Sequence, residues 1–192
     1  MPQSPSVAFP DGAYPLAPAG KTVWTVGHGA RPLEELVETL VGAGVRALVD
    51  VRRFPGSRRH PHFDREPLRR SLADAGIRYS HAVELGGRLS GEPGEERFGC
   101  IRVAAFRSYA ARMGSEGWQA ALDDALGADA PCLMCSETLW WRCHRRFVAE
   151  LLTARGFEVL HLMRPGETQP HRLLDESEVC DGRLYVCGEL VA

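Results

Sequence analysis

Apolar residues recur along this chain in two alternating rhythms. Short, β-rich runs occupy residues 22–26 (TVWTV), 47–51 (ALVDV), 77–82 (IRYSHA), 131–135 (PCLMC) and 157–162 (FEVLHL). Between them lie segments with a helical period over residues 32–41, 65–75, 102–113, 116–126 and 143–155. The first is representative: Leu33, Leu36, Val37 and Leu40 share one face, acids fill the first turns, and Gly42 and Gly44 end it. Asp64 and Ser115 stand where the second and fourth helices need an N-cap. Gly76 and Gly156 stop the second and fifth. Strands alternating with crossover helices predict an α/β fold, a mainly parallel open sheet of about five strands with helices on both faces.

The two ends break the rhythm. Residues 1–20 are rich in Pro, Ala and Gly and read as a disordered leader. The α/β domain is expected over residues 21–162. Residues 163–192 form a C-terminal extension of the same globule, where Asp181-Gly182 signals a hairpin that can pair with a sheet edge. No apolar run approaches the ~18–20 residues of a membrane span. The N-terminus lacks a basic start and an unbroken apolar core. The expectation is a cytoplasmic chain with no membrane partner, whose six cysteines are reduced thiols. Nothing in the pattern speaks to oligomeric state.

Charge changes this picture locally. The net charge is −2, yet residues 46–70 hold eight arginines against three acids, and residues 172–192 hold five acids against two arginines. A basic segment inside a near-neutral chain points to a small anionic ligand more than to a nucleic-acid face, although nucleic acid stays possible. Pro55, Gly56 and Pro61 keep residues 54–63 from forming a helix, so this arginine- and histidine-rich stretch is a loop.

The chemistry concentrates in residues 131–147, PCLMCSETLWWRCHRRF. Cys132 and Cys135 have the spacing of a redox or metal motif. On a strand, however, residues three apart face opposite sides, which assigns Cys132 to the core. Cys143 near a helix N-terminus, with Arg142, Arg145 and Arg146 close by, is a candidate thiolate. Ligands of open α/β sheets sit beyond the carboxyl ends of the strands. His28, Asp50, Arg52, Cys135 and Glu137 all fall there, and Cys143-His144-Arg145 open the following helix. Asp50 must be paired if buried, and Arg52, Arg53, Arg58 and Arg59 follow it as the expected partners.

A set of landmarks runs through the chain in order. They are Gly27-His28; Leu48-Val49-Asp50-Val51-Arg52 with Pro55, Ser57 and Arg58; Phe63; Tyr79; Glu84-Leu85-Gly86-Gly87; Phe106 with Tyr109-Ala110; Leu133-Met134-Cys135 with Glu137; and Cys143-His144-Arg145. In these the chain resembles the bacterial and archaeal family called Domain of Unknown Function 488. The resemblance implies an α/β fold and brings no reaction with it. Gly29-Ala30 departs from the Ser/Thr-Asn usual in that family, so no hydroxyl role is expected there.

Three classes of function fit these residues. The first is an enzyme using a cysteine thiolate on a phosphate- or nucleotide-containing substrate. Cys135 would be the nucleophile, with His28 or His144 moving the proton, Arg52, Arg58 and Arg145 holding the anion, and Asp50 or Glu137 orienting them. The Cys135-to-Arg142 interval is one residue longer than a cysteine-phosphatase loop and lacks glycine, which argues against simple phosphatase chemistry. The second is a zinc or iron centre on Cys135, Cys143 and His144, completed by His28 or Glu137. A weaker metal set is Cys180 and Cys187 with His171. The third is a non-catalytic nucleotide or nucleic-acid binder, with the basic loop on phosphates and Trp140, Trp141 or Phe63 on bases.

Overall fold

The computed structural model of the protein describes residues 21–56 and 58–192; the leader and Ser57 lie outside the described residues. Five parallel strands form the sheet: β1 (Thr22–Gly27), β2 (Ala47–Asp50), β3 (Arg78–His81), β4 (Pro131–Cys135) and β5 (Glu158–Arg164). A sixth, β6 (Glu167–Pro170), adds antiparallel to β5 at one edge, giving the order β3-β2-β4-β1-β5-β6. The helices are α1 (Leu33–Gly42), α2 (Arg65–Asp74), α3 (Ala104–Met113), α4 (Glu116–Leu126) and α5 (Arg145–Ala154).

The strands are short and apolar because both faces of the sheet are covered. On β4 the side chains divide by parity. Cys132 and Met134 join Leu36, Leu40, Leu68 and Leu72 of α1 and α2. Leu133 and Cys135 join Tyr109, Trp118 and Phe147 of α3, α4 and α5. Cys132 is therefore core, on the face opposite Cys135, as its position on a strand requires. Asp64 and Ser115 occupy the N-cap positions of α2 and α4, but neither makes a side-chain capping hydrogen bond.

Two expectations about the C-terminal part are corrected. The segment that pairs with the sheet edge is β6, not the hairpin; its four exposed residues carry no apolar alternation. The hairpin grows into a separate three-stranded antiparallel sheet of β7 (Ser177–Cys180), β8 (Arg183–Val186) and β9 (Glu189–Leu190). Its turn sits at Asp181-Gly182, both left-handed with φ of 50° and 74°, as a type I′ turn demands. Leu184, Val186 and Val191 seal this sheet against the α3–α5 side of the core.

The reduced state expected of all six cysteines is also corrected. Cys100, in the loop before α3, is bonded to Cys187 at the end of β8 across 87 residues. Packing of the tail sheet beside α3 brings the two Cα atoms to 5.8 Å, inside the range a disulfide spans. That bond removes Cys187 from any metal set with Cys180 and His171, and His171 Nδ1 lies 3.0 Å from Nε2 of His161 instead. Cys132, Cys135, Cys143 and Cys180 remain free thiols. No helix among the described residues is long and apolar enough to cross a membrane.

Candidate functional site

Parallel register brings the polar strand ends together. Gly27 of β1 pairs with Cys135 of β4, and Asp50 of β2 pairs with Met134. The residues just beyond these ends line a cavity of about 380 Å³. Its lining includes His28, Arg52, Cys135, Glu137, Cys143 and His144.

One wall is built on a buried ion pair. The Asp50 carboxylate has no solvent exposure and accepts from Arg52 Nε at 2.9 Å, Arg52 Nη2 at 2.6 Å, the Arg52 backbone N–H at 3.0 Å and the Tyr79 hydroxyl at 2.8 Å. The bidentate fork supplies the partner a charge needs in so dry a place. Burial, and then the Asp50 charge, push the Tyr79 phenol well up, so it acts only as a donor. Arg52 Nη2 also donates to the Phe63 carbonyl at 2.9 Å. Its Nη1 lies 3.2 Å from His28 Nε2. Because His28 Nδ1 lies 2.9 Å from the Gly29 carbonyl, which can only accept, Nδ1 carries the proton and Nε2 accepts from Arg52. Burial, reinforced by the Arg52 charge, lowers His28 to about 4. Both its nitrogens are thus engaged, Nε2 with Arg52 and Nδ1 with the Gly29 carbonyl.

The other wall carries the thiols. His144 Nε2 lies 3.2 Å from the Val51 carbonyl and must donate to it, which leaves the Nδ1 lone pair facing Cys143 Sγ at 3.6 Å and Cys135 Sγ at 3.9 Å. The Gly86-Gly87 backbone closes over this ring. A Cβ on Gly87 would stand 2.6 Å from His144 Nδ1, so only glycine fits. The segment is held from behind by the Tyr109 hydroxyl, which donates to the Leu85 carbonyl at 2.9 Å, and by the Tyr109 ring on His144, centroids 4.9 Å apart.

The two thiols are not equivalent. Burial raises Cys143, but this is outweighed by a hydrogen bond from the Cys135 thiol and by the Arg145 guanidinium, whose Nε donates to Sγ at 3.4 Å; the net position is about 6. Cys135 goes the other way, to about 12, because it keeps its proton to donate to Cys143 and is itself buried. Arg145 is 1% exposed and fully engaged. Besides Cys143 it donates to Thr25 Oγ1 at 3.3 Å and to the backbone carbonyls of Glu137 and Thr138. Behind Thr25 stand His161 and His171, linked in series at 2.7 and 3.0 Å, with Trp140 stacked flat on His161. Trp140 is a packing wedge.

The structure therefore gathers most of the expected site residues in one cavity and sorts the rest. Asp50 and Arg145 lie behind its walls, where they position Arg52 and Cys143. Glu137 lines the cavity, and its carboxylate accepts from the Leu139 backbone N–H at 3.3 Å. Arg58 is exposed in the loop before α2 and does not line the cavity. Three other arginines do: Arg53, Arg88 and Arg142, all exposed. Arg88 was not anticipated. Its only sequence signal is its place after Gly86-Gly87; in the structure its backbone is left-handed at φ 61°.

With respect to charge, the cavity has a cationic mouth and a thiolate-bearing floor. With respect to ligation, Cys135 Sγ, Cys143 Sγ and a nitrogen of His144 all lie within 4.8 Å of one another. A family model described as domain of unknown function DUF488 matches residues 32–152. No curated protein and no solved structure matches the chain.

Proposed function

The chain belongs to the DUF488 family, whose description carries no reaction, and we propose from its own residues that Cys143 is the nucleophile of an enzyme acting on a small anionic, phosphate- or nucleotide-containing substrate. The observation that carries this is the unequal thiol pair at the floor of an arginine-mouthed cavity. Arg53, Arg88 and Arg142 draw in the anion, since exposed guanidinium forks bind phosphate and carboxylate oxygens bidentately. His144 Nδ1 takes the Cys143 proton, leaving thiolate and imidazolium. The thiolate forms a bond from Sγ to the electrophilic atom of the substrate. The leaving group departs with the electron pair of the broken bond and receives the proton from His144. Cys135 and Arg145 stabilise the thiolate before attack. This assignment moves the nucleophile from Cys135, whose raised position makes it the donor.

A paired alkylation experiment tests the reading. Iodoacetate is anionic and iodoacetamide neutral. In the wild type, iodoacetate gains on iodoacetamide at Cys143 relative to a free thiol, and inorganic phosphate protects against both. The Arg88→Ala/Arg142→Ala variant loses that gain. An unaltered reagent ratio with no protection by phosphate would sink the proposal.

The second reading is a metal centre, favoured by the convergence of two sulfurs and a nitrogen within 4.8 Å. The donor set suits zinc or iron, and the Val51 carbonyl on the far nitrogen of His144 is the outer-shell contact that metal-bound histidines usually have. Near-stoichiometric metal in the purified protein, lost in Cys143→Ser, would select this reading over the first. Either chemistry fits the cytoplasm, where we place the chain. A disulfide in that compartment is commonly the redox-responsive kind.

A further inference from the structure

A second cavity, about 570 Å³, opens beside the first. Phe106 and Arg142 line both, so the two are adjacent. The second is lined by Ile101 and Val103 ahead of α3 and by Trp141 from the loop before α5. Trp141 differs from its neighbour. Trp140 is buried against His161, whereas Trp141 is 40% exposed and held edge-on to Trp140 at 88°. Val103, at 50% exposed, is a second large apolar group left open here. Exposed Arg102 and Arg142 flank them. The one acid in the lining, Glu176, is neutralised by Arg146 at 2.6 Å. A concave site with an open indole, an apolar wall and uncompensated guanidinium groups suits a flat, electron-rich ring attached to an anion.

We propose that the cavity at Trp141 is a base-binding subsite, so that the substrate of the Cys143 site is a nucleotide with its base on Trp141 and its phosphate among Arg53, Arg88 and Arg142. This rests on the thiolate reading of Cys143 and goes further by fixing which end of the substrate meets the thiolate. Chain geometry permits it. Trp141 and Cys143 are two residues apart, so their Cα atoms are within about 7 Å, and one small ligand reaches both. The 100–103 segment that walls the subsite is tied down by the Cys100–Cys187 bond, and Cys100 itself contributes to the lining.

The test is titration calorimetry of the full chain with AMP, ribose 5-phosphate and inorganic phosphate. AMP is expected to bind about 5- to 150-fold tighter than ribose 5-phosphate, the range that stacking one base contributes. Trp141→Ala is expected to erase that difference and leave ribose 5-phosphate binding unchanged. Phe54, exposed and lining the first cavity, is the control: Phe54→Ala should keep the AMP preference. The subsite is overturned if AMP and ribose 5-phosphate bind equally, if Trp141→Ala keeps the preference, or if Phe54→Ala removes it. Binding of phosphate without any preference for AMP overturns the subsite alone. Failure of all three ligands to bind overturns the anion cavity with it.

Discussion

Titrating the reactivity of Cys143 against pH gives the most discriminating test of the thiol assignment. Its thiol lies at about 6 where an unshifted cysteine lies at 9.0. At pH 6 about half of Cys143 is thiolate, against roughly one part in a thousand of an unshifted thiol, an advantage of about 500-fold. Nucleophilicity falls as the pKa falls, with a slope of about 0.4–0.5, so three units cost roughly 15- to 30-fold. The net gain is therefore about 15- to 30-fold at pH 6 and only about 3- to 6-fold at pH 7. Between about pH 7.5 and 8 it inverts, and by pH 9 Cys143 is roughly tenfold slower than an ordinary thiol. The inversion is the signature, because burial alone would slow the thiol at every pH. Alkylation by iodoacetamide, quantified by peptide mass spectrometry, reads Cys143 and exposed Cys180 in one sample. The expected midpoint for Cys143 is near 6. Cys135→Ala should move it up and Cys135→Ser, which keeps an O–H donor, should move it less. A wild-type midpoint at 8 or above, or a midpoint indifferent to Cys135→Ala, would refute the reasoning.

Further outcomes follow from packing and burial. Gly87→Ala drives a methyl into His144 and is expected to cost about 1–3 kcal/mol in urea denaturation. Gly117→Ala, in α4 with open space around it, should instead stabilise by about 0.5 kcal/mol. Burial raises Glu150 from 4.5 to about 7, so its stabilising contribution is present below its unfolded value and lost as pH rises through 7. Glu150→Gln should therefore gain stability on the order of 3 kcal/mol at pH 8 and nothing near pH 4, checked by denaturation at both. Removing the Cys100–Cys187 bond as Cys100→Ser/Cys187→Ser should cost about 2–4 kcal/mol, visible as a lower Tm, and an unchanged Tm would show that the bond constrains little.

The succession of strands and helices was legible because each element has its own apolar period, and the sheet's parallel order followed from that alternation. The location of the candidate cavity was legible for the same reason. Strand parity sent Cys132 to the α1–α2 face and left Cys135 on the other, and the carboxyl-end rule grouped His28, Arg52, Cys135 and His144. What failed to show depended on contacts distant in sequence. The proposed choice of Cys143 over Cys135 rests on the hydrogen bond between the two thiols and on Arg145, which Thr25 helps to hold from 120 residues away. The Cys100–Cys187 bond depends on where the tail sheet packs, which no local pattern encodes. Strand β6 escaped because all four of its residues are exposed and it ends at Pro170, so nothing marks it except the edge it joins.

The arginines show why composition alone misplaces a binding site. Residues 46–70 form the most basic stretch of the chain, and the plain inference is that its arginines hold the ligand. Burial divides them. Arg52 directs Nε, Nη1 and Nη2 at Asp50, His28 and the Phe63 carbonyl, and Arg145 directs its three nitrogens at Cys143, Thr25 and two backbone carbonyls. A guanidinium so committed has little left to offer a substrate, and drawing it away would leave a buried charge or carbonyl unpaired at a cost of several kcal/mol. Those two are bonded to other groups of the cavity: Arg52 donates to His28, and Arg145 donates to Cys143 and favours its thiolate. Arg53, Arg88 and Arg142 carry the same charge but stay solvated, and none of them makes an ion pair among the described residues. In the proposed function they exchange water for an anion at little cost. The same side chain is thus scaffold in the dry layer and, in the proposed function, receptor in the wet one. The boundary between the two layers passes through the cavity at Cys143, which is 3% exposed and contributes to the lining.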